Sequence, residues 1–321
     1  MTDQMNAVVM REPGGPDVLR VEQVAEPVPA DGQSLLDVTF AGLNFDDLDQ
    51  RADTIRERPA VLGVDAVGTR RRDGRRVAAL LRSGGGYAQV AAAADAHTVD
   101  VPDEVSDQQA VGLFEQGATA YGALVLAARL RPGETVAVSA AAGGVGHLAV
   151  QMALARGARS VIGITGTPAK QAFITSLGAE AIVDPTGAGL GDRLRDLTGG
   201  RGVDVYLDSV GGAQACSALS GLATFGRLVS IGWRTGGHVD VAMESLLDRS
   251  IGCGAFWMRH VVDDRPLLCR ITRILFQLAV RGQLAAHVDR VVGLHEVATA
   301  HAALAGRATT GKVLIDVHRE P

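Results

Sequence analysis

Lysine is nearly absent. Of the 31 cationic residues in this 321-residue chain only Lys170 and Lys312 are lysines, so arginine carries the positive charge and each lysine merits separate attention. Cysteine is sparse too: Cys216, Cys253 and Cys269 are odd in number and scattered, which supports neither a disulfide framework nor a CxxC metal knuckle and fits a reducing cytoplasm. No basic run is long enough to follow a phosphate backbone and the formal charge is −5, which argues against nucleic acid as a partner. The N-terminus from Met1 to Gly14 lacks the basic-then-apolar order of a signal peptide. From Val136 to Ala155, 20 residues carry no charge, but Ser139, a glycine pair, His147 and Gln151 interrupt them. They read as strand, turn and helix, with no membrane partner expected.

Apolar residues at 47% and charged residues at 21% leave room for a large core and two domains. The 40 glycines follow no collagen period and cluster at Gly84-Gly85-Gly86 and Gly143-Gly144, as turns and close approaches do. From Ala7 to about Ala118 the apolar runs are short: Val18-Leu19, Leu35 to Val38, Val61-Leu62, Val77 to Leu81 and Tyr87 to Val90. That rhythm indicates a coiled β domain. From Arg131-Pro132-Gly133 onward strand and helix alternate, with strands expected at Thr135–Ser139, Ser160–Ile164, Ala181–Val183, Val203–Leu207, Arg227–Ile231 and Ile251–Ala255. Helices are expected at Gly146 to Arg156 and at Gln214 to Leu222 before a turn at Gly226. This is the pattern of an α/β doubly wound parallel sheet of the Rossmann type. An amphipathic stretch from Pro266 to Val280, a helix from Val297 to Leu304 and a strand Lys312–Val317 follow, and the chain is expected to leave the nucleotide domain near Ala255 and return to the first domain.

Ser139-Ala140-Ala141-Ala142-Gly143-Gly144-Val145-Gly146 joins a β-branched strand to a helix. Backbone N–H groups at such a helix start reach a pyrophosphate, and the helix dipole favours its charge. The spacing fits both AxxGxxG and AxxxGxG; the short-chain dehydrogenases that use the latter need Tyr-x-x-x-Lys, and none of Tyr87, Tyr121 and Tyr206 is followed by lysine at that interval. A ligand carrying a free ribose 2′-OH calls for an acid about 20 residues past the turn. No Asp or Glu lies between Gly146 and Glu180, whereas Gly166 leaves room, Thr167 offers a hydroxyl and Lys170 a cation. NADPH is favoured over NADH on that ground. The plain alternative for Lys170 is a solvated helix residue.

Several stretches are distinctive together: Pro13 to Leu19, Ala41-Gly42-Leu43-Asn44-Phe45-x-Asp47, Gly117 to Tyr121, Leu130 to Glu134, the glycine turn, Thr198 to Val205, Asp208-Ser209-Val210-Gly211 and Thr310-Gly311-Lys312-Val313. In these the chain resembles the quinone oxidoreductase branch of the zinc-independent medium-chain dehydrogenases/reductases, which also includes the enoyl reductase domains of polyketide synthases. The resemblance implies a GroES-like β-rich catalytic domain (residues 1–118 and 257–321), a Rossmann NADPH-binding domain (119–256) and an active site in the cleft between them. It implies Asn44 and Thr119 against the nicotinamide, Gly143, Gly144 and Val145 on the pyrophosphate, Gly166 and Lys170 near the 2′-phosphate, and Ser209, Ile231 and Gly232 along the ribose and nicotinamide side. A cytoplasmic homodimer reducing a quinone, enone or enoyl substrate is implied, with enoyl reduction in polyketide metabolism or a non-catalytic, crystallin-like NADPH-binding role as alternatives. Two departures stand out: only Thr69 to Arg76 fills a loop that is usually longer and borders the substrate entrance, and Pro185 follows Asp184 where a tyrosine is usual.

Hydride transfer to a conjugated carbonyl needs placement of the reacting carbons and no metal, because the extended π system carries the charge. A zinc site needs three or four Cys, His or carboxylate ligands, and no such spacing is visible. Asn44 either caps the helix that follows or bonds to cofactor or substrate. Trp233 and Trp257 are equally readable as pocket wall or as interface, and the cysteines as core or helix-face residues.

Overall fold

The computed structural model describes residues 3–55, 57–184, 186–234 and 239–320. It divides into two units, Met1–Glu115 with His260–Pro321, and Gln116–Arg259. The first unit opens with β1 (Gln4–Met10), β2 (Leu19–Ala25), β3 (Gln33–Leu43), α1 (Phe45–Ala52), β4 (Ala60–Val61), β5 (Asp65–Arg70), β6 (Arg75–Leu80), β7 (Val90–Ala94) and β8 (Thr98–Asp100). Helix α2 (Asp107–Tyr121) leads into the second unit. There β9 (Thr135–Val138), α3 (Gly144–Ala155), β10 (Ser160–Thr165), α4 (Gln171–Ser176), β11 (Glu180–Val183), α5 (Leu190–Leu197), β12 (Val203–Asp208), α6 (Gly212–Ser220), β13 (Leu222–Ser230), α7 (Met243–Leu247) and β14 (Gly252–Ala255) follow, and α8 (Arg259–Val262) leads back to the first unit. The chain then completes the first unit with α9 (Arg265–Val280), β15 (Val288–Gly293), α10 (Val297–Ala305) and β16 (Lys312–Asp316). No helix among the described residues is long and apolar enough to cross a membrane.

In the second unit the strand order is β11-β10-β9-β12-β13-β14, all parallel. Every residue of β9 is buried, as a central parallel strand covered by helices on both faces must be. The chain winds outward from β9 to β11, then restarts beside β9 with β12, so the topological switch point lies between β9 and β12. In the first unit β16 pairs antiparallel with β3 and parallel with β15. The last strand therefore closes a sheet ordered β15-β16-β3-β5-β6-β8, around a core that includes Met10, Leu36, Leu62, Tyr87, Leu304 and Ile315.

Several expectations need correction. Helix α6 ends at Ser220, and Leu222 and Ala223 are already strand. The expected turn at Gly226 is a bulge inside β13: the pairing with β12 jumps from Val203↔Leu222 to Val205↔Arg227, and a Cβ on Gly226 would lie 2.8 Å from the Ala223 carbonyl oxygen. Burial of Leu222 against the core holds the strand through the irregularity. Tyr87 precedes β7 rather than belonging to a strand, and it is fully buried. Cys253 lies on the exposed strand β14, neither in a core nor on a helix. The arginine-rich stretch after Thr69 is a tight hairpin turn between β5 and β6, with Arg70 paired to Asp73 at 2.6 Å. Pro185 lies outside the described residues.

Gly146 illustrates how tightly α3 is seated, since an added Cβ would lie 2.3 Å from the Ala140 carbonyl oxygen and 2.8 Å from Ala141 Cα. Gly146→Ala should destabilise the protein by about 1–3 kcal/mol, read as a lower unfolding temperature without cofactor. Gly254→Ala, where nothing stands within 4 Å, should leave that temperature unchanged; equal effects would refute the close-packing account.

Candidate active site

The glycine turn begins where β9 ends. Ser139 N–H bonds to Leu207 O at 2.9 Å, Ala141 N–H to Ile164 O at 2.9 Å and Gly143 N–H to Ala140 O at 2.8 Å, so the turn is stitched to both neighbouring strands. Ala140 takes a φ of 45°, a left-handed conformation uncommon for a residue with a Cβ. The N–H groups of Gly144, Val145 and Gly146, in the first turn of α3, have no intrahelical partner and no other among the described residues. A Cβ on Gly143 would approach only Ala140 O, at 3.2 Å, and one on Gly166 nothing within 4 Å. Unspent donors, a helix N-terminus and open space past β10 together fit an anionic pyrophosphate.

At the switch point Ser139 Oγ accepts the Ser209 N–H at 2.8 Å, and the two hydroxyls lie 3.2 Å apart. The loop after β12 is fixed by Asp208, whose carboxylate accepts N–H groups of Val210 and Gly211 at 3.1 Å; burial raises its pKa. Gly143, Gly144, Val145, Gly166, Ser209, Ile231 and Gly232 thus follow the carboxyl ends of β9, β10, β12 and β13, on one edge of the sheet. Lys170 closes a short helical turn that Thr167 caps, the Thr167 hydroxyl accepting Ala169 N–H at 3.4 Å. Thr119 is buried on α2, one residue pair ahead of a π-helical stretch, Gly122–Ala127. Trp233 and Trp257 are exposed.

Asn44 belongs to the first unit, where it caps α1; its own N–H is accepted by Asp47 at 2.8 Å. Its side chain turns elsewhere. The amide nitrogen donates to Asp65 Oδ1 at 2.7 Å and to Gly42 O at 3.2 Å, while the amide oxygen accepts from Lys312 Nζ at 2.8 Å. Lys312 in turn pairs with Asp65 Oδ2 at 3.1 Å, both side chains almost wholly out of solvent. Helical capping and engagement of the amide therefore coexist, and both amide hydrogens are spent within the protein.

Behind Asn44 runs a directional chain. Arg51 Nη1 lies 3.1 Å from His301 Nδ1; an arginine only donates, so Nδ1 accepts and Nε2 carries the hydrogen. Nε2 lies 3.3 Å from the Tyr87 hydroxyl, which donates to Asp47. Asp47 also accepts the Gly63 N–H at 3.0 Å. Burial lifts its carboxyl to about 7, helped by the nearby Asp65 charge, and burial beside Arg51 drops the His301 imidazole to about 3. Asp65 and His301 escaped the sequence reading, as did the contacts of Tyr87, Asp47 and Lys312, although Asp47 and Lys312 stand in two of the distinctive stretches and the rarity of lysine singled out Lys312. Among the described residues no group of three or more His, Cys, Asp or Glu side chains is placed to hold a metal ion.

Residues 144–269 match the family model described as zinc-binding dehydrogenase. The chain is 31% identical to a 2-haloacrylate reductase of a Burkholderia species, over 96% of this chain and 98% of that one. It is 33% identical to a quinone oxidoreductase of Pseudomonas aeruginosa, over 94% and 96%. Mycobacterial Rv1454c, solved in complex with NADPH, superposes with a TM-score of 0.89 at 29% identity, covering 98% of this chain and all of that one.

The two displaced titrations oppose each other. Unfolded values lie near ~4 for aspartate and ~6.5 for histidine, so between about pH 4 and 7 folded Asp47 holds a proton that the unfolded chain releases, and its contribution to stability declines as pH rises. For His301, between about pH 3 and 6.5, the unfolded chain binds the extra proton, so its contribution declines as pH falls. The slopes cancel where they overlap. Asp47→Asn should make stability fall on acidification from pH 6.5 to 4.5, and His301→Gln should make it rise, each by up to ~1.4 kcal/mol per pH unit relative to wild type. Urea unfolding at stepped pH measures this; parallel profiles in the two variants would refute the coupling.

Proposed function

Because the chain belongs to the quinone oxidoreductase family of medium-chain dehydrogenases/reductases, we propose that it is an NADPH-dependent, metal-free enzyme that delivers hydride to a quinone or an α,β-unsaturated carbonyl compound, acting as a cytoplasmic homodimer. The observation that carries the reading is the set of N–H donors at the start of α3 that find no acceptor among the described residues, beside the switch point of the sheet. In this reading Gly143, Gly144 and Val145 hold the pyrophosphate, and Gly166 and Lys170 take the 2′-phosphate. Thr119, Ser209, Ile231 and Gly232 line the ribose and nicotinamide, and Asn44 meets the nicotinamide. When bound, the reduced nicotinamide supplies the hydride.

With both Asn44 hydrogens donated to Asp65 and Gly42, Asn44 offers no free donor to an acceptor's oxygen. The charge that develops there must be spread by the acceptor's own conjugation and quenched by a proton from solvent. Reduction of a conjugated double bond is favoured as a second substrate class by the likeness to a protein named 2-haloacrylate reductase. The dimer reading rests on β14, an edge strand with no charged residue whose four residues are all exposed; such an edge is a template for pairing with a second copy.

NADPH should bind about ten- to a hundredfold more tightly than NADH, the worth of a charge-assisted phosphate contact, and Lys170→Ala should erase most of the difference. Fluorescence titration of both cofactors into wild type and variant decides it: equal affinities in wild type reject the phosphate site. Dialysis against a strong chelator should leave turnover with a quinone and the melting temperature unchanged. Loss of either would reveal a metal requirement.

A further inference from the structure

Lys312 is 1% exposed, more deeply buried than the two buried arginines Arg51 and Arg70 at 9% and 7%. Its surroundings explain why a lysine stands there. Strands β16, β3 and β5 lie side by side in that order, with Leu314 opposite Gly42 and Ala41 opposite Ala66. From β16 the lysine stem crosses over β3 to reach Asp65 at the start of β5, a span of two strand spacings, roughly 10 Å. It passes above Gly42: a Cβ there would sit 2.4 Å from Lys312 Cε, 2.5 Å from Nζ and 2.5 Å from Asp65 Oδ1. The path is thus floored by the one residue type that leaves it open, and it ends at Asn44.

We propose that Lys312 is a positioning residue, which acts with Asp65 to fix the direction of the Asn44 amide. The ammonium requires the amide oxygen on its side, and the carboxylate requires the NH₂ group on the other; a rotated amide would set N–H against ammonium and oxygen against carboxylate. The two charges also satisfy each other, so neither is left uncompensated in a site closed to water. The C-terminal strand thereby controls a side chain 268 residues earlier in the chain. The inference rests on the reading of Asn44 as the side chain that meets the nicotinamide, and it adds what holds that side chain in its working orientation.

A mutant cycle separates the two ideas. Asn44→Ala, the charge-free pair Lys312→Met with Asp65→Asn, and the triple variant are compared with wild type for kcat with NADPH and 1,4-benzoquinone, for NADPH affinity by fluorescence, and for melting temperature. Asn44→Ala and the pair variant should each lower kcat at least tenfold with NADPH affinity within threefold of wild type. The triple variant should be no slower than the slower of the two by more than twofold, because both changes act through one side chain. Independent losses that multiply, or a pair variant with kcat within twofold of wild type beside a slow Asn44→Ala, overturn the role of Lys312 and leave the reading of Asn44 standing. Full turnover in Asn44→Ala overturns both. Should the pair variant fail to fold, Gly42→Ala displaces the lysine tip while keeping both charges. It should reproduce the fall in kcat, and kcat within twofold of wild type would likewise overturn the proposal.

Discussion

A charge removed from water must find fixed partners, and around the end of β3 that requirement organises the first unit. Lys312 and Asp65 are nearly inaccessible. Alone, each would cost several kcal/mol to bury; together they have spare hydrogen-bonding capacity that Asn44 fills on both sides. The side chains come from β16, β5 and the residue after β3, so the ion pair also ties the C-terminal segment to the N-terminal sheet. Asp47 then links the site through Tyr87 and His301 to Arg51, whose Nε donates to Gly14 O at 3.0 Å. Each polar group in the sequence hands its demand to the next until it reaches the surface side of the unit.

The second unit solves a different problem with different material. The edge assigned to the cofactor under the proposed function is made of backbone: N–H groups at a helix start, glycines without Cβ atoms, and loops pinned by Ser139 and Asp208. Backbone donors cannot titrate, so this edge itself adds no pH dependence over the physiological range. The first unit holds displaced titratable groups instead, arranged so that the Asp47 and His301 slopes offset each other.

Elements with a strong local period were legible in the sequence. The six parallel strands and the glycine turn follow from alternation of strand and helix. Gly226 misled because a glycine inside a strand and a glycine in a turn look alike locally; what separates them is the pairing of Leu222 with Val203 across the sheet. The hub around Asn44 was hidden for a stronger reason. Lys312, Asp65, Asp47, Tyr87 and His301 come from five separate stretches, and their meeting depends on strand order and on the space above Gly42, neither of which has a local signature. Asn44 itself was visible, as a cap and as a family position, but the sequence left open which of its atoms would be free.

An enzyme reducing an isolated ketone needs a metal or a positioned acid for the alkoxide that forms. In the first unit the polar side chains nearest Asn44 already serve one another: its amide hydrogens go to Asp65 and Gly42, Asp47 accepts three donors, and the Tyr87 hydroxyl donates inward to Asp47. A site so committed to its own order is suited to hold geometry rather than to donate a proton. Under the proposed function, this shifts the burden of charge stabilisation to the acceptor, and a quinone or an enone, whose conjugation disperses the incoming electron pair, is the kind of molecule that can bear it.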